Sequence, residues 1–238
     1  MLRSLNQLIG YSVLATDGPI GRVSEMYFDD QEWRMRYLVV ETGGWLSSRK
    51  VLLPVLSLEK PDWKLEEIPV SLTRELVRSS PEIDTDMPVA RQHEIDLHAH
   101  YGWEMYWAGG NYMRSGDMVP YVEPEPRHID TNKGGKPYNP HLRSTKFITS
   151  CRVHAIDGDV GHASDFIIDD AAWMIHQLVI NIGTFFSPNQ VMLPPERVGN
   201  IEWERRKVNV KVYRDDVRNS PQFTLPTLLD TVYEDAVF

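Results

Sequence analysis

Only one of the 238 residues is cysteine, Cys151, so the chain holds no internal disulfide, and a lone thiol offers none of the paired spacings that metal sites use. No run of apolar residues approaches the roughly 18 that a membrane helix needs. The opening "MLRSLNQLIGYSV" also lacks the apolar core of a secretory signal, so the sequence points to a soluble cytoplasmic protein with no membrane span. Cations are in short supply: 25 Lys and Arg face 34 Asp and Glu, a formal charge of −9, which repels a phosphate backbone and disfavours direct nucleic-acid binding. There is no Gly-rich phosphate loop, no G-x-S-x-G elbow and no Cys-His pair at a recognisable spacing. A hydrolase is therefore a reading for which no nucleophile, base and oxyanion set can be assembled, and no cofactor is indicated. With 42% apolar and 25% charged residues the chain is nevertheless composed like a folded globular protein.

What the sequence has is a sentence written twice. "ATDGPIGRVSEMYFDDQEW" at 15–33 returns as "AIDGDVGHASDFIIDDAAW" at 155–173. A shift of 140 positions, without a gap, pairs Asp17, Gly18 and Gly21 with Asp157, Gly158 and Gly161, and Trp33 with Trp173. It also pairs Pro54 with Pro194, Trp63 with Trp203, and "LRS" at 2–4 with "LRS" at 142–144. About 27 of about 97 positions are identical, against roughly 6% for unrelated chains of ordinary composition. Residues 2–98 and 142–238 then read as two copies of one unit, with 99–141 an unmatched connector. A unit of this length suits a small domain with its own core rather than a solenoid repeat.

Within each copy, short runs rich in Val, Ile and Tyr ("LIGYSVLA", "GRVSEMYF", "MRYLVVET", "KVLLPVLSL", "WKLEEIPVSL") are separated by Asp, Gly and Pro, and predict strands. Asp17-Gly18 and Asp157-Gly158 suit tight hairpins, because glycine takes positive φ freely. Gly21 and Val23 keep one alternation parity while Met26 and Phe28 keep the other, and Gly161, Ala163, Phe166 and Ile168 repeat the slip. A shared change of parity predicts a β-bulge at Ser24 and Glu25 and at Ser164 and Asp165. "SLTRELVRSSPE" and "KVYRDDVRNSPQ" have helical spacing and end at proline, so a short helix comes after the last strand of each copy. A second amphipathic segment succeeds it, marked by Val89, Gln92, His93 and Leu97 in one copy and Leu229, Val232, Tyr233 and Val237 in the other.

The "DG-x-[IV]-G" turn, the acidic pair before an aromatic residue, the "LVV" strand and the "V-x-L-P" strand resemble the PRC-barrel family, known from the photosynthetic reaction-centre H subunit and the ribosome-maturation factor RimM. The connector start "YGWEMYW" is similar to the segment directly after such barrels in bacterial proteins with two of them. The resemblance implies a mainly β chain of two small barrels, each with a short helix at its end and joined by an aromatic, Pro-rich connector. It implies a binding or scaffolding module rather than an enzyme. The H subunit carries an N-terminal membrane helix that this sequence lacks, so the resemblance implies no electron-transfer or quinone role.

The candidate site residues are few. "HEIDLHAH" at 93–100 gathers His93, Glu94, Asp96, His98 and His100, and on a helix Glu94 and His98 share a face. A ligand- or metal-responsive protein using this segment is the alternative function. Against it, the repeat sets Tyr233 opposite His93 and Phe238 opposite His98, which marks packing positions, so no metal ligand is assigned. Glu94 recurs as Glu234 and suits an ion pair with Arg74 or Arg78. Cys151 stands opposite Tyr11 and reads as a packed thiol. Asp29-Asp30 and Asp169-Asp170 read as solvated acids in a turn, since no loop offers the roughly six to eight oxygens calcium requires. In the connector, Tyr101, Trp103, Tyr106, Trp107 and Tyr112 are expected to form the seam between the barrels or to anchor an unidentified protein partner, a second copy included, with Trp103 and Trp107 on one helical face.

Overall fold

The computed structural model describes residues 1–43, 49–81, 91–103, 141–183 and 189–224, with backbone only for 91–93. The chain is mainly β. The first half carries β1 (Leu2–Ser4), β2 (Ser12–Ala15), β3 (Gly18–Asp29), β4 (Arg34–Thr42), β5 (Lys50–Pro54) and β6 (Glu67–Pro69), then helices α1 (Arg74–Arg78) and α2 (Arg91–Tyr101). The second carries β7 (Leu142–Ser144), α3 (Thr145–Ile148), β8 (Arg152–Ala155), β9 (Gly158–Asp169), β10 (Met174–Asn181), β11 (Gln190–Leu193), β12 (Val198–Glu202), β13 (Lys207–Val210) and α4 (Arg214–Arg218). Strands β3 and β9 start and stop at positions 140 apart, as do β2 and β8, and α1 and α4, while β4 and β10 start 140 apart and end at Thr42 and Asn181. Helix α2 runs across residue 98, where the first copy was expected to end.

The parity slip has a structural counterpart. The β3–β4 register steps between Val23 and Glu25, and the β9–β10 register steps between Ala163 and Asp165. One residue at each step is extra, which lets Val23 and Met26, or Ala163 and Phe166, both face the interior. Two expected strands are shorter than their apolar runs. In "LIGYSVLA" the first residue, Leu8, closes a 3-10 turn begun at Leu5, and Gly10 at φ 90 redirects the chain before β2 begins at Ser12. In "WKLEEIPVSL" the carboxylate of Asp62 accepts the backbone N–H groups of Lys64 and Leu65 and Glu66 adopts φ 56, so only Glu67–Pro69 pairs as a strand, parallel to β2.

The expectation of two closed barrels is corrected by the topology. Among the described residues the strands form one mixed 13-stranded sheet whose main path runs β12-β13-β8-β9-β10-β4-β3-β2-β6. The path crosses from one half to the other where β10 meets β4 at Met174 and Arg34. Between β5 and β6 the first half is bridged by Leu58 opposite Val70 and by the Ser71 N–H on the Ser57 carbonyl, rather than by a ladder. The physical reason is that β5 ends at Pro54 and β11 just before Pro194, each leading into a 3-10 turn, so that no ladder joins β5 to β6 or β11 to β12 among the described residues. β1 lies antiparallel on β9, and β7 lies antiparallel on β3, so each half lends its first strand to the other. One apolar core accordingly runs through both halves, from Leu8, Val13 and Ile68 to Val153, Leu178 and Val208.

Candidate functional site

The exchanged strands define a seam with internal two-fold character. In β1 the residues Leu2, Arg3 and Ser4 oppose Asp169, Ile168 and Ile167; in β7 Leu142, Arg143 and Ser144 oppose Asp29, Phe28 and Tyr27. The bulges serve this exchange. Glu25 and Asp165, buried by the extra residue, receive the hydroxyls of Ser144 and Ser4 in short hydrogen bonds. Asp165 also accepts the backbone N–H groups of Asn6 at 3.0 Å and Phe166 at 2.7 Å. On the other side, the Met26 N–H donates to the Thr145 hydroxyl at 3.0 Å. Burial holds the Asp165 carboxyl above the ordinary aspartate range, and the hydrogen bonds from Ser4, Phe166 and Asn6 offset part of that.

The acidic pairs divide their labour, which corrects the expectation of solvated acids. Asp29 and Asp169 cap the next turn, accepting N–H groups two and three residues on. Asp30 and Asp170 grip the visiting strand. The Asp30 carboxylate bonds His141 Nδ1 at 3.0 Å and Arg143 Nε at 2.6 Å, and its N–H donates to the His141 carbonyl. Asp170 accepts the indole N–H of Trp63 at 3.0 Å, and its own N–H donates to the Met1 carbonyl. Arg3 stacks over Trp63, 4.7 Å from the ring centroid. At the centre, Trp33 and Trp173 adopt φ 53 and 54, and their carbonyls accept the N–H groups of Ile175 and Met35, both at 2.8 Å. Phe28 and Phe166 meet between them with centroids 5.4 Å apart.

The hairpin tips are built from the Asp-Gly pairs. Gly18 and Gly158 adopt φ 139 and 136. Asp17 and Asp157 accept the first helical N–H of α1 and α4, from Arg74 at 2.7 Å and Arg214 at 2.8 Å, so each tip is tied to its helix. That backbone bond, with the Arg214 guanidinium beside it, holds the Asp157 carboxyl low. Gly21 and Gly161 answer to close approach: a Cβ there would lie 2.1 Å from the Glu41 carbonyl oxygen and 2.2 Å from that of Asn181.

The His-rich segment lies on α2, where Glu94 and His98 converge on the Tyr37 hydroxyl and His100 turns to another element. His98 is buried, with Nε2 2.8 Å from the Tyr37 hydroxyl, and that hydroxyl donates to Glu94 at 3.2 Å. His100 Nε2 reaches the Leu76 carbonyl at 2.9 Å. Arg78, expected beside Glu94, pairs with Glu75 at 2.7 Å. No group of three or more His, Cys, Asp or Glu side chains among the described residues is arranged to hold a metal. Leu97 shares a small apolar cluster with Tyr27, Tyr37, Val39, Leu52 and Leu142, so α2 covers the outer face of the first half where β7 enters.

Of the connector aromatics, Tyr101 and Trp103 are described and Tyr106, Trp107 and Tyr112 lie outside the described residues. Tyr101 and Trp103 stack at 4.2 Å, both half-buried, and Trp103 also stands edge-on to His98. Burial pushes the Tyr101 hydroxyl up to about 12. Trp103 is not helical: α2 stops at Tyr101, Gly102 takes φ 70, and the Trp103 N–H returns to the His98 carbonyl. Cys151 is buried and bonded to the Phe147 carbonyl, its thiol pushed up to about 11 by burial.

Sequence reasoning noticed the repeated "LRS" tripeptides and missed their role. The signal was a polar, three-residue strand retained at the same offset from a buried bulge acid.

Compared with known proteins, residues 2–66 match the family model of the PRC-barrel domain, which bears out the resemblance over β1 to the turn before β6. No curated protein matches the chain. Among the described residues no helix is long and apolar enough to cross a membrane.

Proposed function

We propose that the chain is a non-enzymatic interaction module of the cytoplasm, made of two PRC-type units related by duplication at the 140-residue offset and held as an intramolecular pseudo-dimer. One observation carries this reading. The buried acids and hydroxyls that could serve chemistry, Glu25, Ser144, Ser4 and Asp165, are paired with one another across the seam. All four are buried, so these pairs serve as closed interstrand contacts that rigidify a platform. The partner is a protein, and it docks around Tyr101 and Trp103, where half-exposed stacked aromatics stand at the mouth of the connector.

The test is capture of native partners by the purified chain and by its Trp103→Ala variant. The expected result is a specific partner lost by the variant while its thermal unfolding stays close to that of the parent. Zinc bound stoichiometrically by the parent and lost in His98→Phe would favour the ligand-responsive alternative instead.

A further inference from the structure

We infer that the seam is exchangeable between molecules, so that a second copy of this chain is a partner its own units recognise. The inference rests on the two-unit reading above and deepens it. The strand pairings and side-chain bonds of the seam join residues of 1–63 to residues of 141–175: strands β1 on β9 and β7 on β3, Ser4 with Asp165, Ser144 with Glu25, Arg143 with Asp30, Trp63 with Asp170. If the first unit of one copy meets the second unit of another, and the reverse, all of these bonds form again unchanged, and no new surface has to be complementary. A reciprocally swapped dimer therefore equals two monomers in contact energy.

What favours the closed monomer is the tether alone. The 37 residues from 104 to 140 join the units with an effective concentration of about 1 mM, and fully extended they reach up to about 120 Å, ample to cross to a second copy. The exchange unit is also small at its point of entry. Each three-residue strand, with its serine and the facing bulge acid, must be released together with the shared core before the units part, and both copies of that strand read Leu-Arg-Ser. Swapping is then governed by mass action, negligible in dilute solution and growing as concentration nears the tether's value.

Opposed positions across the seam give a direct trap. A Leu2→Cys chain is mixed with an Asp169→Cys chain, unfolded, refolded together under reductant and then oxidised; Leu2 and Asp169 are direct partners in the β1–β9 register. Native Cys151 is buried with its thiol pushed up to about 11, so it stays out of the oxidation step after folding. The expected result is a disulfide joining position 2 of one chain to position 169 of the other, in on the order of a tenth of chains at about 0.2 mM and a proportionately smaller share on dilution. A chain carrying both substitutions provides the internal control. If it closes its own bond while the mixture gives no cross-chain bond at any concentration, exchange between molecules is overturned and the two-unit reading stands. If the double variant fails to close, the seam itself is wrong and both fall.

Discussion

Ser144→Ala and Ser4→Ala remove the same hydroxyl from the two sides of the seam, yet the surroundings predict unequal losses. Ser144 donates to buried Glu25 and also accepts the Phe147 N–H at 3.1 Å, capping α3. Losing a hydrogen bond to a buried charged group costs about 1.5–3 kcal/mol, and losing a serine cap costs about 1 kcal/mol. Ser144→Ala should therefore cost about 2.5–4 kcal/mol, which for a chain of this size lowers Tm by about 5–16 °C. Ser4 begins a 3-10 turn without a side-chain cap, and its acid, Asp165, keeps the N–H groups of Asn6 and Phe166. Ser4→Ala should cost about 0.5–1.5 kcal/mol, or about 1–6 °C. Thermal unfolding monitored by circular dichroism, with a denaturant titration for the free energies, measures both. Combining Ser144→Ala with Glu25→Ala should give a loss smaller than the sum of the singles by about 1 kcal/mol or more, because the pair is removed together. Equal losses for the two serines, or a larger one for Ser4, would refute the unequal anchoring of the two strands.

Two further substitutions probe the hairpins and the buried acid. Gly161→Ala should destabilise more than Gly158→Ala in chemical denaturation: at 161 the new Cβ would lie 2.2 Å from a backbone oxygen, whereas at 158 the neighbour is the Arg214 side chain at 3.7 Å and only the φ of 136 is strained. For Asp165 the sign is set by its raised folded pKa: it contributes stability below the ordinary aspartate range, and that contribution is lost as pH rises through the folded value. Asp165→Asn removes the titration, so its Tm relative to the parent should improve from about pH 4 to about pH 7; a difference that stays flat or worsens over this window would contradict the burial of the acid.

How far the sequence could be read depended on what alternation records. The bulges at Ser24 and Ser164 were legible because a period of two makes a one-residue slip visible as a switch of faces. The Asp-Gly tips and the short helices after them were legible for equally local reasons. Strand exchange was not. Ser4 and Ser144 sit in identical tripeptides, so the pattern is the same whether β1 pairs with β9 or with β3. The choice between them is made by tertiary contacts that no local rule encodes. For the same reason Asp30 and Asp170 looked like turn acids, since their partners Arg143 and Trp63 are 113 and 107 residues away. Closed barrels were expected because the resemblance describes a unit whose edges meet, whereas here the single bridge of Leu58 with Val70 stands where β5 and β6 would have to pair.

The seam is tested most directly by interstrand proton contacts in solution. Nuclear Overhauser spectra of the isotopically labelled chain at low concentration should connect Arg3 with Ile168 and Arg143 with Phe28, the opposed residues of the two exchanged pairs. Contacts connecting Arg3 with Phe28 and Arg143 with Ile168 would show each unit keeping its own first strand, and would contradict the exchange on which the account depends.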